Sequence, residues 1–217
     1  MVKKKYTHII WDWNGTLFDD VEWCVKTINT MLARRGLPPL GSVEEYREIF
    51  CFPVAEYYKK LGFDFEKEPF EKLAVEYMDL YHTGKSGGCG LYGGAEAVLR
   101  ALCEAGKSQI ILSASETLNL SNQVDEFDIR GYFDEIIGIS DIYAKSKIHA
   151  GIDYMARKAV SSAVLIGDTC HDYETARSLG ADCLLIASGH QSRARLEACG
   201  VPVLGGIGEV LGELGIR

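Results

Sequence analysis

Short apolar runs alternate with stretches of helical periodicity along most of the chain. Five runs have the length of buried strands, at residues 8–11, 109–112, 163–166, 183–186 and 201–204. Four later stretches have the spacing of amphipathic helices, at residues 95–104, 148–158, 173–179 and 192–198. This alternation is typical of a parallel sheet that is covered by helices on both faces. The pattern therefore predicts an α/β fold.

One long segment breaks the alternation because it carries only helix signals. Helical spacing runs over residues 21–35 and 69–81, and Ser42 with Glu45 has the spacing of a capping box. A glycine-rich stretch then leads back to the strand–helix pattern. We therefore predict an inserted all-helical cap domain. The predicted boundaries are 20–88 for the cap domain, and 1–19 plus 89–217 for the core domain.

Composition and charge narrow the classes of partner. The 217 residues include 23 Lys and Arg against 31 Asp and Glu, a formal net charge of −8 that disfavours binding to nucleic acid. No apolar run approaches the roughly 18 residues of a membrane span or resembles a signal peptide. The seven cysteines form no C-x-x-C pair, which argues against a zinc site and favours reduced thiols. We expect a cytoplasmic protein, monomeric or homodimeric, without nucleic-acid or membrane partners.

Polar residues follow three of the predicted strands directly. Asp12 follows the first strand, Ser113 the second and Asp168 the third. A single Asp after a strand is most often a helix N-cap. Ligands of open α/β sheets, however, bind beyond the carboxyl ends of the strands. Three such ends in one sheet therefore predict a shared site.

Four motifs in order resemble those of the haloacid dehalogenase superfamily of phosphohydrolases. Residues 12–17 (DWNGTL) are similar to the D-x-D-G-T-L nucleophile loop, and Ser113 matches the end of the second motif. Lys147 matches the lysine of the third motif, with Lys145 as the alternative. Residues 167–172 (GDTCHD) look like the acidic fourth motif. Any one motif is weak, but four in this order are specific.

The resemblance covers nearly the whole chain and extends to phosphoglycolate phosphatase-like members, which residues 187–190 also resemble. It implies a Rossmann-like core with a helical cap of the C1 type. It also implies a Mg²⁺ cofactor, a small phosphorylated metabolite as substrate and an aspartyl-phosphate intermediate. The cap is expected to gate access to the site and to limit substrate size.

The resemblance further assigns roles to individual residues. Asp12 is the expected nucleophile, and Lys147 adds fixed positive charge beside it. The expected phosphate-binding residues are Ser113, Ala114, Gly15 and Lys147. The expected metal ligands, all oxygen donors, are Asp12, Asn14 through its backbone carbonyl, Asp168 and Asp172. Asp172 alternatively holds Lys147 or the waters of the metal.

Asn14 departs from the family pattern, which has an acid–base Asp at this position. The motif projects the Asn14 side chain toward the leaving-group oxygen, where an amide donates a hydrogen bond but exchanges no proton. Losing such a group typically slows a reaction by ~10²–10⁴-fold. Three alternatives therefore stay open: a phosphonate-cleaving enzyme, a pyrophosphate-cleaving enzyme, or a low-activity binding or regulatory protein with a degenerate site.

Three further expectations concern residues outside the motifs. Lys59 and Lys60 are the nearest lysines for the Schiff base of a phosphonate-cleaving enzyme, and we expect both to be surface residues. The turn at residues 50–53 is in a position to face the site. The five scattered histidines show no metal-pair spacing, so each is expected to be structural or solvated.

Overall fold

The fold is described from a computed structural model over residues 6–83, 88–140 and 147–216. Its strands are β1 (His8–Trp11), β2 (Phe18–Asp19), β3 (Gly90–Leu91), β4 (Ser108–Glu116), β5 (Glu135–Ile139), β6 (Ala163–Gly167), β7 (Asp182–Ile186) and β8 (Val203–Leu204). Six of them form a parallel sheet in the order β5-β4-β1-β6-β7-β8, and β2 and β3 form a separate antiparallel pair. The predicted parallel α/β sheet is confirmed.

Strand β1 occupies the middle of the sheet, where the strand order reverses. Trp11, its last residue, is in register with Ile111 of β4 on one side and Ile166 of β6 on the other. The residues that follow these strands therefore emerge at one edge of the sheet. This is the crevice in which ligands of open α/β sheets bind.

Helices cover both faces of the sheet. The described α-helices are α1 (Val21–Arg34), α2 (Val43–Ile49), α3 (Val54–Lys60), α4 (Phe70–Thr83), α5 (Ala95–Glu104), α6 (Thr117–Glu126), α7 (Ile148–Arg157), α8 (Cys170–Leu179), α9 (Arg193–Glu197) and α10 (Val210–Leu214). Successive residues of β1 point to opposite faces, so Ile9 packs in a cluster with residues of α5 and α6, and Ile10 packs in a cluster with residues of α7 and α8. The sheet is thus buried on both sides.

The segment between β2 and β3 contains helices α1 to α4 and has its own apolar cluster. Met31, Leu32, Tyr46, Tyr58 and Leu73 are buried together in it, apart from the two clusters of the sheet. The predicted helices of this segment are present. The domain boundaries at 19/20 and 88/89 stay a prediction.

Several details of the elements differ from the sequence prediction. β5 and the β2–β3 pair have no counterpart in it, because β5 is half-exposed and interrupted by a glycine, and β2 and β3 have only two residues each. At the start of α2, the Ser42 hydroxyl accepts from the Glu45 N–H (3.1 Å), but the Glu45 carboxylate accepts from Gly41 instead of Ser42. Within the described ranges, no helix has the length and apolar character needed to cross a bilayer.

Candidate active site

Two strand ends and one lysine form the centre of the site. Asp12 directly follows β1, and its N–H extends the ladder to the Ile166 carbonyl (2.9 Å). The buried ammonium of Lys147 contacts Asp12 Oδ1 and lies 2.6 Å from Asp172 Oδ1. Asp168 directly follows β6 and is fully buried. The structure thus brings together the four charged residues that the motifs predict, while Lys145, the alternative lysine, lies outside the described residues.

The loop after β1 wraps closely around Asp168. The Thr16 hydroxyl donates to Asp168 Oδ1 (3.0 Å), and the His190 N–H donates to Asp168 Oδ2 (2.6 Å). Gly15 has φ +73°, and a Cβ at this residue would lie 2.3 Å from Asp168 Oδ2. Only glycine fits such a conformation and such an approach.

Asp172 is fixed by the first turn of α8. Its Oδ2 accepts from the Thr169 hydroxyl (2.7 Å) and the Thr169 N–H (3.0 Å), while Thr169 caps the helix in return. Its Oδ1 faces Lys147. Of the roles expected for Asp172, the contact with Lys147 is present, and that of metal ligand stays a prediction.

The buried charges of the site leave it short of positive charge. Burial, and then repulsion from Asp172, raises the pKa of Asp12 to about 8, and burial raises the pKa of Asp168 to about 6. Burial also opposes the ionisation of Asp172, but Lys147 holds the pKa of Asp172 below its usual range. One ammonium therefore faces three carboxylates.

A divalent cation would supply the positive charge that the site lacks. Asp12, Asp168 and Asp172 each offer a carboxylate oxygen within 4.8 Å of the others. Hard oxygen donors in this number are the ligands that Mg²⁺ prefers. The residues present therefore suit the expected metal by both charge and donor type.

Ser113 and Ala114 line the same cavity as Asp12 and Lys147, and they lie within β4, which extends past the predicted strand to Glu116. Ser113 is buried, and its hydroxyl accepts a hydrogen bond from the Ser115 N–H (3.1 Å). Both residues therefore lie where the phosphate-binding role was expected, and that role stays a prediction.

The Asn14 side chain is held at both ends by the protein. Its amide nitrogen donates to Asp20 Oδ2 (2.7 Å), and its amide oxygen accepts from the Ser115 hydroxyl (2.7 Å). Sequence reasoning placed this side chain toward a leaving group, with no account of these partners. The amide orientation is instead set by Asp20 and Ser115.

A buried ion pair next to Asn14 was missed by the sequence reasoning. His190 Nε2 lies 3.2 Å from Asp20 Oδ1, and both residues line the cavity. Burial would lower the pKa of His190, but the Asp20 carboxylate raises it to about 9. Burial would raise the pKa of Asp20, but His190 lowers it. His190 is therefore buried and paired, which agrees with the structural one of the two roles expected for it, structural or solvated.

Two tyrosines of the helical segment complete this pair. The Tyr81 hydroxyl donates to Asp20 Oδ2 (2.7 Å), and the Tyr46 hydroxyl is 2.9 Å from His190 Nδ1. The sequence offers only a weak signal for the pair: a second acid directly after Asp19, and His190 shortly after β7. Neither position belongs to one of the four motifs.

A cavity of about 190 Å³ extends from Asp12 into the helical segment. Phe50 and Phe52 line it, as expected for the turn at 50–53, and the Phe52 ring stacks on His171 with 4.6 Å between ring centroids. Lys59 is exposed and pairs with Glu56 (2.7 Å). Neither Lys59 nor Lys60 is among the lining residues, in agreement with their expected surface position.

A family model and curated relatives both point to a family of hydrolases. Residues 9–186 match the family model of the haloacid dehalogenase-like hydrolases. A phosphoglycolate phosphatase of Pseudomonas fluorescens is 24% identical over 190 residues, which cover 84% of this chain and 70% of the relative. A phosphoglycolate phosphatase of Caulobacter vibrioides is 26% identical over 191 residues, which cover 84% of this chain and 79% of the relative.

Solved structures share the fold at low sequence identity. A predicted phosphatase from Clostridium acetobutylicum aligns with a TM-score of 0.78 and 21% identity, covering 97% of this chain and 99% of that one. A haloacid dehalogenase-like family protein from Streptococcus pneumoniae aligns with a TM-score of 0.78 and 21% identity, covering 96% and 98% of the two chains. The likeness thus includes the helical segment as well as the sheet.

Proposed function

The chain belongs to the haloacid dehalogenase-like hydrolases, and we propose from this premise that it is a Mg²⁺-dependent phosphatase of small phosphorylated metabolites. It acts on phosphate esters, as a hydrolase of this family with phosphatase relatives. The observation that carries the proposal is the buried group of Asp12, Lys147, Asp168 and Asp172 at the carboxyl edge of the sheet.

In the proposed reaction Asp12 is the nucleophile. Its carboxylate oxygen attacks phosphorus, the bond from phosphorus to the alcohol oxygen breaks, and an aspartyl-phosphate forms. The departing alkoxide takes its proton from water, because Asn14 has none to give. Water then attacks the phosphorus, which releases inorganic phosphate and returns the Asp12 carboxylate. Asp12, Asp168 and the carbonyl of Asn14 would hold Mg²⁺, which would supply positive charge that offsets the charges of phosphate and nucleophile.

Other residues of the chain bind and orient the phosphoryl group. Lys147 provides a fixed ammonium beside the attacking oxygen, and Asp172 holds that ammonium in place. Ser113 and the backbone around Ala114 donate hydrogen bonds to the phosphoryl oxygens. The Gly15 N–H, also expected to bind phosphate, donates to the Phe18 carbonyl (2.8 Å). Because Asn14 exchanges no proton, the rate depends on the acidity of the leaving group.

The helical segment has the role of a cap in this proposal. Its aromatic residues cover the cavity, and its Tyr46 and Tyr81 contact the ion pair of His190 and Asp20. Closure over the site excludes bulk water from the phosphorylated Asp12 and limits the size of the substrate. The phosphonate-cleaving alternative loses support because neither suspected lysine lines the cavity.

The substitution Asp12→Asn tests the proposal. Hydrolysis of an aryl phosphate in the presence of Mg²⁺ should disappear, because an amide oxygen is a poor nucleophile although the change is nearly isosteric. Asp153→Asn, the same change on the exposed side of α7, should retain wild-type turnover. Full activity of Asp12→Asn would contradict the assignment of the nucleophile.

A further inference from the structure

The cavity wall formed by the helical segment is aromatic. Beyond Phe50 and Phe52, it is lined by Tyr57, Tyr58, Phe70 and Tyr77. Such a surface binds apolar and aromatic groups by burial and by ring contacts. Any organic group attached to a phosphate at Asp12 would meet this wall.

The positively charged side chains that line the cavity are already paired with carboxylates of the protein. Among the described lining residues, Lys147 is the only Lys or Arg, and its ammonium binds Asp12 and Asp172. His190 is paired with Asp20 (3.2 Å), and the His171 ring is stacked on Phe52. The remaining histidine, His82, is exposed to solvent. A second anionic group of a ligand would therefore be poorly compensated.

The helix N-terminus at the cavity is also occupied. The N–H groups of Leu118 and Asn119, in the first turn of α6, donate to the Glu116 carboxylate (3.0 and 2.8 Å). Glu116 lines the cavity. A ligand carboxylate at this place would meet a carboxylate instead of free N–H groups.

One polar group of the wall lacks a partner. The Tyr57 hydroxyl is buried and has no hydrogen-bond partner among the described residues. A buried hydroxyl without a partner is unfavourable, so tyrosines in such positions usually find an acceptor. An acceptor on a ligand would fill this need.

We infer that the substrate is the phosphate monoester of an uncharged alcohol that carries one aromatic ring and a hydrogen-bond acceptor for Tyr57. This inference rests on the proposed phosphatase function and names its substrate class. The cavity of about 190 Å³ includes the phosphate end at Asp12 and Lys147, so it leaves room for no more than about one ring. A phosphorylated carboxylic acid such as phosphoglycolate is excluded by the same features, since its carboxylate finds Glu116 and no uncommitted Lys or Arg among the described lining residues.

Three primary alkyl phosphates test the class. Benzyl phosphate, ethyl phosphate and phosphoglycolate all release a primary alkoxide, so differences in kcat/KM report mainly how the organic group is bound. With wild-type enzyme and Mg²⁺, kcat/KM for benzyl phosphate should exceed that for ethyl phosphate by about tenfold to hundredfold, the effect of burying a phenyl group. Phosphoglycolate should be the poorest of the three. A kcat/KM for phosphoglycolate equal to or above that for benzyl phosphate would overturn the inference.

The acceptor is tested by pyridylmethyl phosphates, which place a ring nitrogen where benzyl phosphate has carbon. At least one of the three isomers should exceed benzyl phosphate in kcat/KM, and Tyr57→Phe should abolish that preference. Tyr173→Phe, a change on α8 away from the cavity, should preserve it. An unchanged preference in Tyr57→Phe, or no preferred isomer in the wild type, would overturn the role of Tyr57.

Binding measurements separate this inference from the proposed function. Calorimetry with wild-type protein and Mg²⁺ compares benzylphosphonate with phosphonoacetate, neither of which has an ester bond to cleave. Benzylphosphonate should bind at least about tenfold more tightly. If no phosphate ester is hydrolysed but this preference holds, the phosphatase proposal fails and the ligand class stands. If esters are hydrolysed and the preference is absent or reversed, the ligand class alone fails.

Discussion

Asn14 and Asp20 share a hydrogen bond that limits which substitutions either position tolerates. Asn14→Asp alone would place a carboxylate 2.7 Å from Asp20 Oδ2, where an amide now donates. We expect this variant to lose about 1–3 kcal/mol of stability, because a buried acceptor then faces an acceptor. The free energy of unfolding, measured by denaturant titration, gives the loss.

The double substitution Asn14→Asp with Asp20→Asn is the matched variant. It exchanges the two groups, so an amide again donates to a carboxylate, but it also removes the Asp20 carboxylate from its ion pair with His190. The double variant should therefore be less destabilised than the sum of the two single variants, Asn14→Asp and Asp20→Asn. It also places an ionisable group at position 14, and turnover of alkyl phosphates should rise toward the ~10²-fold lower end for an acid–base group. A double variant whose loss of stability equals the sum of the losses in the two single variants would contradict the coupling between the two residues.

The ion pair of His190 and Asp20 predicts a particular dependence of stability on pH. The pKa of His190 is raised from 6.5 to about 9, so its stabilising contribution is complete below pH 6.5 and is lost as the pH rises through 9. Breaking a buried pair typically costs about 3–5 kcal/mol. The stability difference between wild type and His190→Gln, in metal-free protein, should therefore shrink between pH 6 and pH 10.

His8→Gln provides the control for this measurement. Burial lowers the pKa of His8, so His8 is neutral in both the folded and the unfolded protein above pH 7. The stability difference between wild type and His8→Gln should stay level from pH 7 to pH 10. A level difference for His190→Gln as well would mean that His190 is uncharged.

At the scale of elements, helix α2 is attached to the loop after β7. Arg47 of α2 donates to the carbonyls of Gly189 (2.8 Å) and Ser188 (2.7 Å). Arg47→Ala should lower the free energy of unfolding by about 2 kcal/mol, since both hydrogen bonds have a charged donor. It should also weaken Mg²⁺ binding, because the same loop positions the His190 N–H on Asp168. Calorimetric titration with Mg²⁺ measures that affinity.

Arg34→Ala on α1 serves as the comparison. Arg34 pairs with Glu76 (2.7 Å), but about half of its side chain is exposed, so its loss should cost less than about 1 kcal/mol. Mg²⁺ affinity should not change in this variant. Equal effects of the two substitutions on Mg²⁺ binding would show that the α2 contact does not position the loop.

The order of the elements determined what the sequence alone could predict. Asp12, Ser113 and Asp168 were predicted because the ends of neighbouring parallel strands must meet, whatever the details of packing. The pair of Asp20 and His190 was not, because 170 positions separate its members and their contact depends on how Tyr46 and Tyr81 pack against the core. Strand β5 was missed because a partly buried strand that begins with Glu135 and has Gly138 as its fourth residue has no long apolar run.

For the whole molecule, the excess of buried carboxylates predicts that Mg²⁺ stabilises the fold. At a free concentration about 100 times its Kd, a ligand of the folded state adds about 2.7 kcal/mol. Thermal unfolding with Mg²⁺ or with a chelator measures this, and Asp168→Asn should show a much smaller shift. The apparent affinity for Mg²⁺ should increase from pH 6 to pH 8, because Asp12, with a pKa of about 8, releases a proton on binding. An affinity independent of pH would contradict this ionisation.

The loop after β7 contacts both helix α2 and Asp168, and this double contact has a thermodynamic consequence. Its Gly189 carbonyl is held by α2, and the next residue holds Asp168. In the proposed function, closure of the helical segment and binding of Mg²⁺ therefore both depend on the backbone of residues 189 and 190. Equilibrium linkage then requires reciprocity: the factor by which a substrate-bound, closed lid tightens cation binding equals the factor by which the cation tightens substrate binding. We therefore expect saturation with either ligand to lower the half-saturating concentration of the other by the same factor.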